Sequence, residues 1–507
     1  MAYDALGRMV TRTDKRSDNS VDVHTRWYYD KYLGDAESKP ETQLKLTAVV
    51  SSYGSINESC SGANYCQTHV YDSLSRITDT ATYLPNDSTG YITSARYDVA
   101  GRVYKQYDAL NGNVQTSGTR TYFNSYGYAQ QINDIATGDV LQKTVKLNAR
   151  GQVKEELRNN GSAGSTVYTY DDATGRLTNQ NTSLAGILIP IQNVTYSWDV
   201  LGNLKNRWNQ SGNLTPSGST AKKDLRESFC YDGLNRLIKS HVEDLAGSCN
   251  LLPEQQDLEY DGFGNITRKV NVGTYSYSGK GPHAVTSVTN ATLNSHTGSY
   301  AYDNNGNQIS GGGRTNIVYS TYDQPLTITS ANATTHFAYG PDRKRFERKD
   351  IKNSKTIITH YLGSVERVQE LGSSIVEWKR YIAGAIYTVR TINGVVEKTN
   401  KSFIFNDHLG SLDVVTDAVG KVTHSASFNA WGERRNGENW AAAFAASSLS
   451  LTGFDRPLTE RGYTGHEMLD DHGLIHMNGR IYDPKLARFL QADPFIQAAT
   501  NTQNYNR

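Results

Sequence analysis

The chain has 507 residues, and its 52 Lys plus Arg balance 51 Asp plus Glu to a net charge of +1, so no general basic field draws nucleic acid or anionic lipid to it. Its hydrophobic fraction of 37%, which already counts 33 Tyr, and its charged fraction of 20% fall below the roughly 45–50% and about 25% of ordinary globular domains, the remainder being rich in Ser, Thr, Asn and Gly. That mixture disfavours an all-helical protein and suits short strands and turns, and no apolar run approaches the roughly 18–20 residues of a transmembrane helix.

From the N-terminus, Asp4, Arg8, Arg12, Asp14, Lys15 and Arg16 leave no room for an apolar segment, so no Sec signal peptide is expected. At Tyr3 begins a unit, Tyr-Asp-x-x-Gly-(Arg or Asn)-apolar, carried first by Tyr3, Asp4 and Gly7. It returns at Tyr97, Asp98 and Gly101, at Tyr260, Asp261 and Gly264, and at Tyr302, Asp303 and Gly306. Looser copies begin at Tyr29, Tyr71, Tyr107, Tyr170, Trp198, Tyr231 and Tyr322, and degenerate ones at Phe123 and Leu147. Tyr-Asp occurs eleven times, whereas 33 Tyr and 33 Asp scattered over 507 positions predict about two. The steps between copies, mostly about 20 to 42 residues, hold two strands and their connections, so each unit reads as a hairpin.

The residue types explain the turn. Asp at the first position and Gly three later are the preferences of a type I turn closed by a G1 bulge, and the Asp carboxylate can accept an amide two residues on. Tyr ends one strand, burying its ring while its hydroxyl reaches water or a backbone carbonyl. These aromatics therefore read as structural rather than as glycan- or base-stacking groups.

Further along, Cys60 and Cys66, and Cys230 and Cys249, are separated by 6 and 19 residues without zinc-type pairing. Two local disulfides and four reduced, packed thiols both fit that spacing. Ser211 to Lys222 and Gly311 to Arg314 read as hairpin tips or crossovers, and Ala441 to Ala446 as a short helix. The chain divides into repeats over 1–345, a continuing meander over 346–405 with strands near Thr356 to Leu362, Ser374 to Ile382 and Ala385 to Val396, and a distinct segment over 406–507. His466, Glu467, Asp470, Asp471, His472 and His476 lack the His-Glu-x-x-His spacing of a metalloprotease helix and read as a turn. Asp303 to Asn307 lacks the twelfth-position Glu of a calcium loop and reads as another repeat turn. No nucleophile elbow, P-loop or dinucleotide fingerprint is present, and neither cofactor nor metal is expected.

The repeated Tyr-Asp-x-x-Gly-Arg unit resembles the YD repeat of the RHS family of bacterial proteins, which includes the C components of Tc insecticidal toxins and the YD shell of teneurins. A second match lies in Asn406 to Ser411, Phe428 to Gly432, Tyr463 to Glu467 and Gly473 to Pro494, which is similar to the RHS repeat-associated core. The resemblance implies an all-β array of YD hairpins curling into a shell or cocoon-like sheet. It implies a secreted or cell-surface protein that encloses a C-terminal effector and meets other shell or secretion components; the balanced charge separately argues against a nucleic-acid partner. An adhesion or recognition module is the alternative it allows, with loops such as Ser211 to Lys222 on the partner. It also implies an aspartyl autoprotease in which Asp493, before Pro494, is the first of two carboxylates that share a proton, the second falling beyond Arg507. The chain is accordingly expected to be a piece of a larger shell, and the protease incomplete within it.

Overall fold

Hairpin closure by the repeat unit is the local event from which the fold is built, and the computed structural model describes it over residues 1–112, 114–214, 220–222, 224–242, 249, 256–279, 281–289, 296–441 and 457–493. At Asp98 the amide donates to the Arg102 carbonyl and the Gly101 amide to the Asp98 carbonyl, both at 2.9 Å. Asp98 Oδ1 accepts from the Ala100 and Arg102 amides at 2.9 Å, while Arg102 Nε donates to Oδ2 at 2.8 Å. The Arg102 amide and guanidinium thereby hold this carboxyl below its ordinary range. The same backbone pair closes the turns at Asp4 and Gly7, Asp261 and Gly264, and Asp303 and Gly306. Tyr97 pairs with Val103 but Arg96 with Lys105, so one extra residue bulges from the return strand. Gly101 has φ +79°, a region closed to β-branched residues. Gly101→Val is expected to lower stability by about 1 kcal/mol or more, read as the midpoint of denaturant unfolding; an unchanged midpoint would contradict the turn assignment.

Successive units interlock through the two remaining signature residues. Tyr29, Tyr97, Tyr170, Tyr231 and Tyr260 donate their hydroxyls to the carbonyls of Met9, Ile77, Val153, Leu204 and Leu237, at 2.8 to 3.2 Å. Each acceptor opens the return strand of the preceding unit. The arginine of a unit also covers the next aromatic, Arg8 over Tyr29, Arg76 over Tyr97, Arg102 over Phe123 and Arg236 over Tyr260, at 4.1 to 4.4 Å from the ring centre.

Four looser copies do not make this turn: at Tyr170-Asp171 a late Gly175 lengthens it by one residue while the hairpin still closes, Asp171 N donating to Arg176 O at 2.9 Å and Gly175 N to Asp171 O at 2.8 Å. In Tyr29-Asp30 and Tyr107-Asp108 the glycine comes one residue late, at Gly34 and Gly112, and the chain leaves the strand for loops closed by Asp30 N to Lys45 O and Asp108 N to Ser117 O, each 3.0 Å. At Tyr322-Asp323 the frame is shifted: Ser320 takes the aspartate position, its amide donating to Gln324 O at 2.8 Å, and Asp323 at φ +62° takes the glycine position. The unit there begins at Tyr319. Turns of the same pattern at Gly340, Asp407, Asp417 and Asn429 carry no Tyr-Asp pair and escape a search for it.

From Ala2 to Val242 the hairpins form one antiparallel sheet of eighteen strands, and from Arg314 to Asn436 a second of twelve. Within the second sheet, Lys355–Leu362, Val365–Glu370, Ile375–Ile382 and Ala385–Ile392 pair in succession, each antiparallel to the next, and Val395–Asn406 follows. Gly212–Leu214 pairs with Thr220–Lys222 as a hairpin, whereas the helix expected at Ala441 to Ala446 lies, beyond Ala441, outside the described residues. The chain packs as two units, one of residues 1–143, 319–326 and 335–400, the other of 144–318, 327–334 and 401–507.

In the first unit the core is aromatic: Tyr65 stacks on Phe346 at 4.6 Å with Leu84, Tyr91, Leu362 and Val365 around them. In the second, Leu258, Ile266, Val272, Tyr275, Val285, Val288 and Tyr300 close over Leu486. Much of what is buried is polar, and it is paired. Gln180 Nε2 donates to Gln192 Oε1 and to Asn406 O at 2.8 Å, and Gln192 Nε2 to Asp413 Oδ2 at 2.6 Å. This accounts for the low apolar fraction, because paired polar groups fill interior positions at little net cost.

Candidate functional site

The Tyr482-Asp483-Pro484 segment of the second motif is the most deeply buried acidic position of the second unit. Asp483 has no exposed side-chain surface and meets Arg314 Nη2 at 2.6 Å and His296 Nε2 at 3.5 Å, while its Oδ1 accepts the Lys485 and Leu486 amides at 2.9 Å. Burial acts to raise its pKa, yet the Arg314 guanidinium and the His296 ring hold the carboxyl well below the usual range. Lys269 Nζ donates to Lys485 O at 2.8 Å, and burial draws its pKa down. The segment is thus an anchor, tying residues far apart in sequence.

Ten residues on, Asp493 stands in a different setting. Its side chain is 35% exposed and its Oδ2 lies 3.0 Å from Arg480 Nη2, itself packed 3.7 Å over Phe489. One carboxylate oxygen is therefore fixed at the end of the four-stranded sheet Glu467–Phe489. Pro494 lies outside the described residues.

The histidines of the 466–476 segment are spread over separate contacts. His472 Nδ1 is 2.8 Å from Ser330 Oγ, and His476 Nδ1 accepts the Asn478 amide at 3.1 Å. Among the described residues no three His, Cys, Asp or Glu converge as metal ligands. Cys60 is joined to Cys66 and Cys230 to Cys249, with Cα separations of 5.3 and 5.4 Å.

Two charge clusters have no counterpart in the sequence reading. In the second unit Glu227 is held between Arg207 at 2.6 Å and Arg435 at 2.7 Å, with Trp440 against both guanidiniums at 5.1 and 4.4 Å. Burial draws Arg435 down to about 10, and both guanidiniums hold Glu227 below its ordinary value against the opposing effect of its own burial. The adjoining cavity, lined by Tyr196, Arg207, Asp407 and Trp440 among others, measures about 20 Å³, room for about one water and not for a substrate. In the first unit Arg380 binds Asp108 at 2.7 Å and Asp134 at 3.0 Å. The only advance signal was a charged residue at an inward-facing strand position, which a single sequence does not reveal.

No protein-family profile matches the chain. Its fold is similar to part of a Tc toxin chain: 99% of the chain superposes on 26% of a chain in the structure of the Photorhabdus luminescens Tc holotoxin pore, with a TM-score of 0.64 and 15% identity. The crystal structure of TcdB2-TccC3 gives a TM-score of 0.56 at 16% identity, over 99% of this chain and 31% of that one. Among curated proteins, the tRNA nuclease WapA of Bacillus subtilis is 26% identical over 266 residues, 52% of this chain and 10% of its own length. The double-stranded DNA deaminase toxin A of Burkholderia cenocepacia is 22% identical over 439 residues, 81% of this chain and 23% of its own. The chain thus spans at most about a quarter of the curated relatives it matches. The likeness to RHS-type YD-repeat proteins read from the motifs, and the all-β fold that it implied, are both shown.

Proposed function

We propose, from this likeness to RHS-type YD-repeat proteins, that the chain is part of the structural shell of a polymorphic toxin which encloses a C-terminal effector until delivery. The observation that carries the reading is the agreement of fold over essentially the whole chain with a Tc holotoxin. It is supported by the sequence relatives, a tRNA nuclease and a DNA deaminase toxin, which share this region and carry dissimilar activities. A strand-built wall whose buried polar groups are paired, as Gln180, Gln192 and Asp413 are, suits containment. Asp493, anchored by Arg480, is the proposed first carboxylate of a self-cleaving pair.

The test uses the complete native polypeptide and its Asp493→Asn variant. The expected result is a wild-type protein of two co-purifying pieces cut beyond Asp493, harmless to the producing cell, and an uncut variant. The released C-terminal piece expressed alone is expected to be toxic. An uncut wild-type protein ends the protease reading, and a C-terminal region as harmless alone as when attached ends the toxin reading.

A further inference from the structure

The sheet of the first unit carries a row of like charges across adjacent strands. In strands Gly90–Tyr97, Val103–Tyr107 and Gly118–Phe123, Arg96 stands directly opposite Lys105, and Lys105 directly opposite Arg120. Arg120 in turn faces Asn133 on strand Ala129–Asp134, where the neighbouring pair is Tyr122 with Gln131, and Gln131 faces Lys143 on the next strand. Because side chains alternate, all of these residues project from the same face. Gln131 Nε2 donating to Asn133 Oδ1 at 2.8 Å is consistent with that.

Arg96 is neutralised by Asp79 at 3.2 Å. Lys105, Arg120 and Lys143 have no carboxylate within ion-pair distance among the described residues; Arg120 lies 4.7 Å over the ring of Tyr122, a residue 39% exposed, and Lys105 Nζ 5.9 Å over that of Tyr104. Like charges directly opposite on neighbouring strands repel, and between Lys105 and Arg120 no carboxylate relieves that repulsion. Strands about 4.8 Å apart place the free cations over roughly 15 Å, with the amides of Gln131 and Asn133 and the Tyr122 ring between them.

We infer that this face is a docking surface for an acidic glycan, a short run of sulfated or carboxylated sugars. The cations neutralise its anions, Gln131 Oε1 accepts from its hydroxyls, and Tyr122 offers an apolar plane to a sugar ring, while Asn133, which accepts from Gln131 Nε2 and donates to Gly138 O at 2.9 Å, holds Gln131 in place. Three unpaired cations on a chain of net charge +1 are too few for a nucleic-acid track, which typically engages about six to ten phosphates. The surface is independent of the shell reading, which requires no such partner.

The test is binding of the whole protein to a sulfated heparin oligosaccharide, with neutral dextran and a single-stranded DNA of equal charge as comparisons. The expected result is retention on the sulfated sugar alone, weakening with salt, and about tenfold or greater loss in the Lys105→Gln/Arg120→Gln/Lys143→Gln variant. The variant should unfold at the same temperature or higher, since only repulsion has been removed. A surface built only for the fold would instead lose stability and leave sugar binding unchanged. Equal binding of DNA, no preference over dextran, or unchanged affinity in a folded variant would each overturn the inference.

Discussion

Arg380→Met is expected to destabilise the first unit by about 3–5 kcal/mol, the largest effect of any single substitution considered. Arg380 is 1% exposed, and its guanidinium serves Asp108 through Nε at 2.7 Å, Asp134 through Nη1 at 3.0 Å and the Gly118 carbonyl through Nη2 at 3.4 Å. Asp108 and Asp134 are themselves 5% and 1% exposed. Methionine fills similar volume but leaves two buried carboxylates facing each other without a cation, and an uncompensated buried charge costs far more than the pair gained. Adding Asp108→Asn and Asp134→Asn to the methionine variant should restore a substantial part of the loss. Denaturant unfolding of the whole protein reads both variants. A single variant as stable as the wild type would show that the triad contributes nothing.

Acidification provides the second large effect. Burial holds the imidazoles of His408 and His424 at about 4, well below the ordinary 6.5, with Arg207 adding to the fall at His408 and Arg434 at His424, and Asp407 and Glu227 opposing it at His408. A histidine kept neutral by the fold protonates more readily when unfolded. It costs nothing above pH 6.5 and takes away stability progressively as pH falls toward 4. Each group is worth about 3 kcal/mol across that window, and together they rival the margin of a typical domain. His408 packs at 4.6 Å against Tyr196 in the second unit, so its protonation is expected to loosen that unit. Thermal unfolding measured from pH 7 to pH 4 should show a steep fall, and His408→Asn with His424→Asn should flatten it. A profile equally steep in the double variant would assign the acid sensitivity elsewhere, to carboxylates such as Glu227.

The repeat was legible because its chemistry is local. Aspartate, glycine and the intervening pair determine the turn within five residues, so Asp98 and Gly101 make in space what their spacing announces. Spacing alone did not settle the geometry: with the glycine one residue late the chain opens into loops at Gly34 and Gly112 but still closes a longer turn at Gly175, and Ser320 with Asp323 imitates the unit without its letters. The freed aspartates were put to other use. Asp30 turns to Arg8, and Asp108 to Arg380.

The sequence by itself therefore determined the hairpins, their order and the resemblance to YD-repeat proteins, since each rests on contacts a few residues long. It also marked Asp483 and Asp493 as members of one motif. Only the tertiary structure separated them, burying Asp483 between Arg314 and His296 and leaving Asp493 half-exposed beside Arg480. The same holds for Glu227 between Arg207 and Arg435, and for Arg380 with Asp108 and Asp134. Charges separated by up to some 270 residues meet only after the intervening strands have folded, and the free energy of such a meeting depends on burial, which no local pattern encodes.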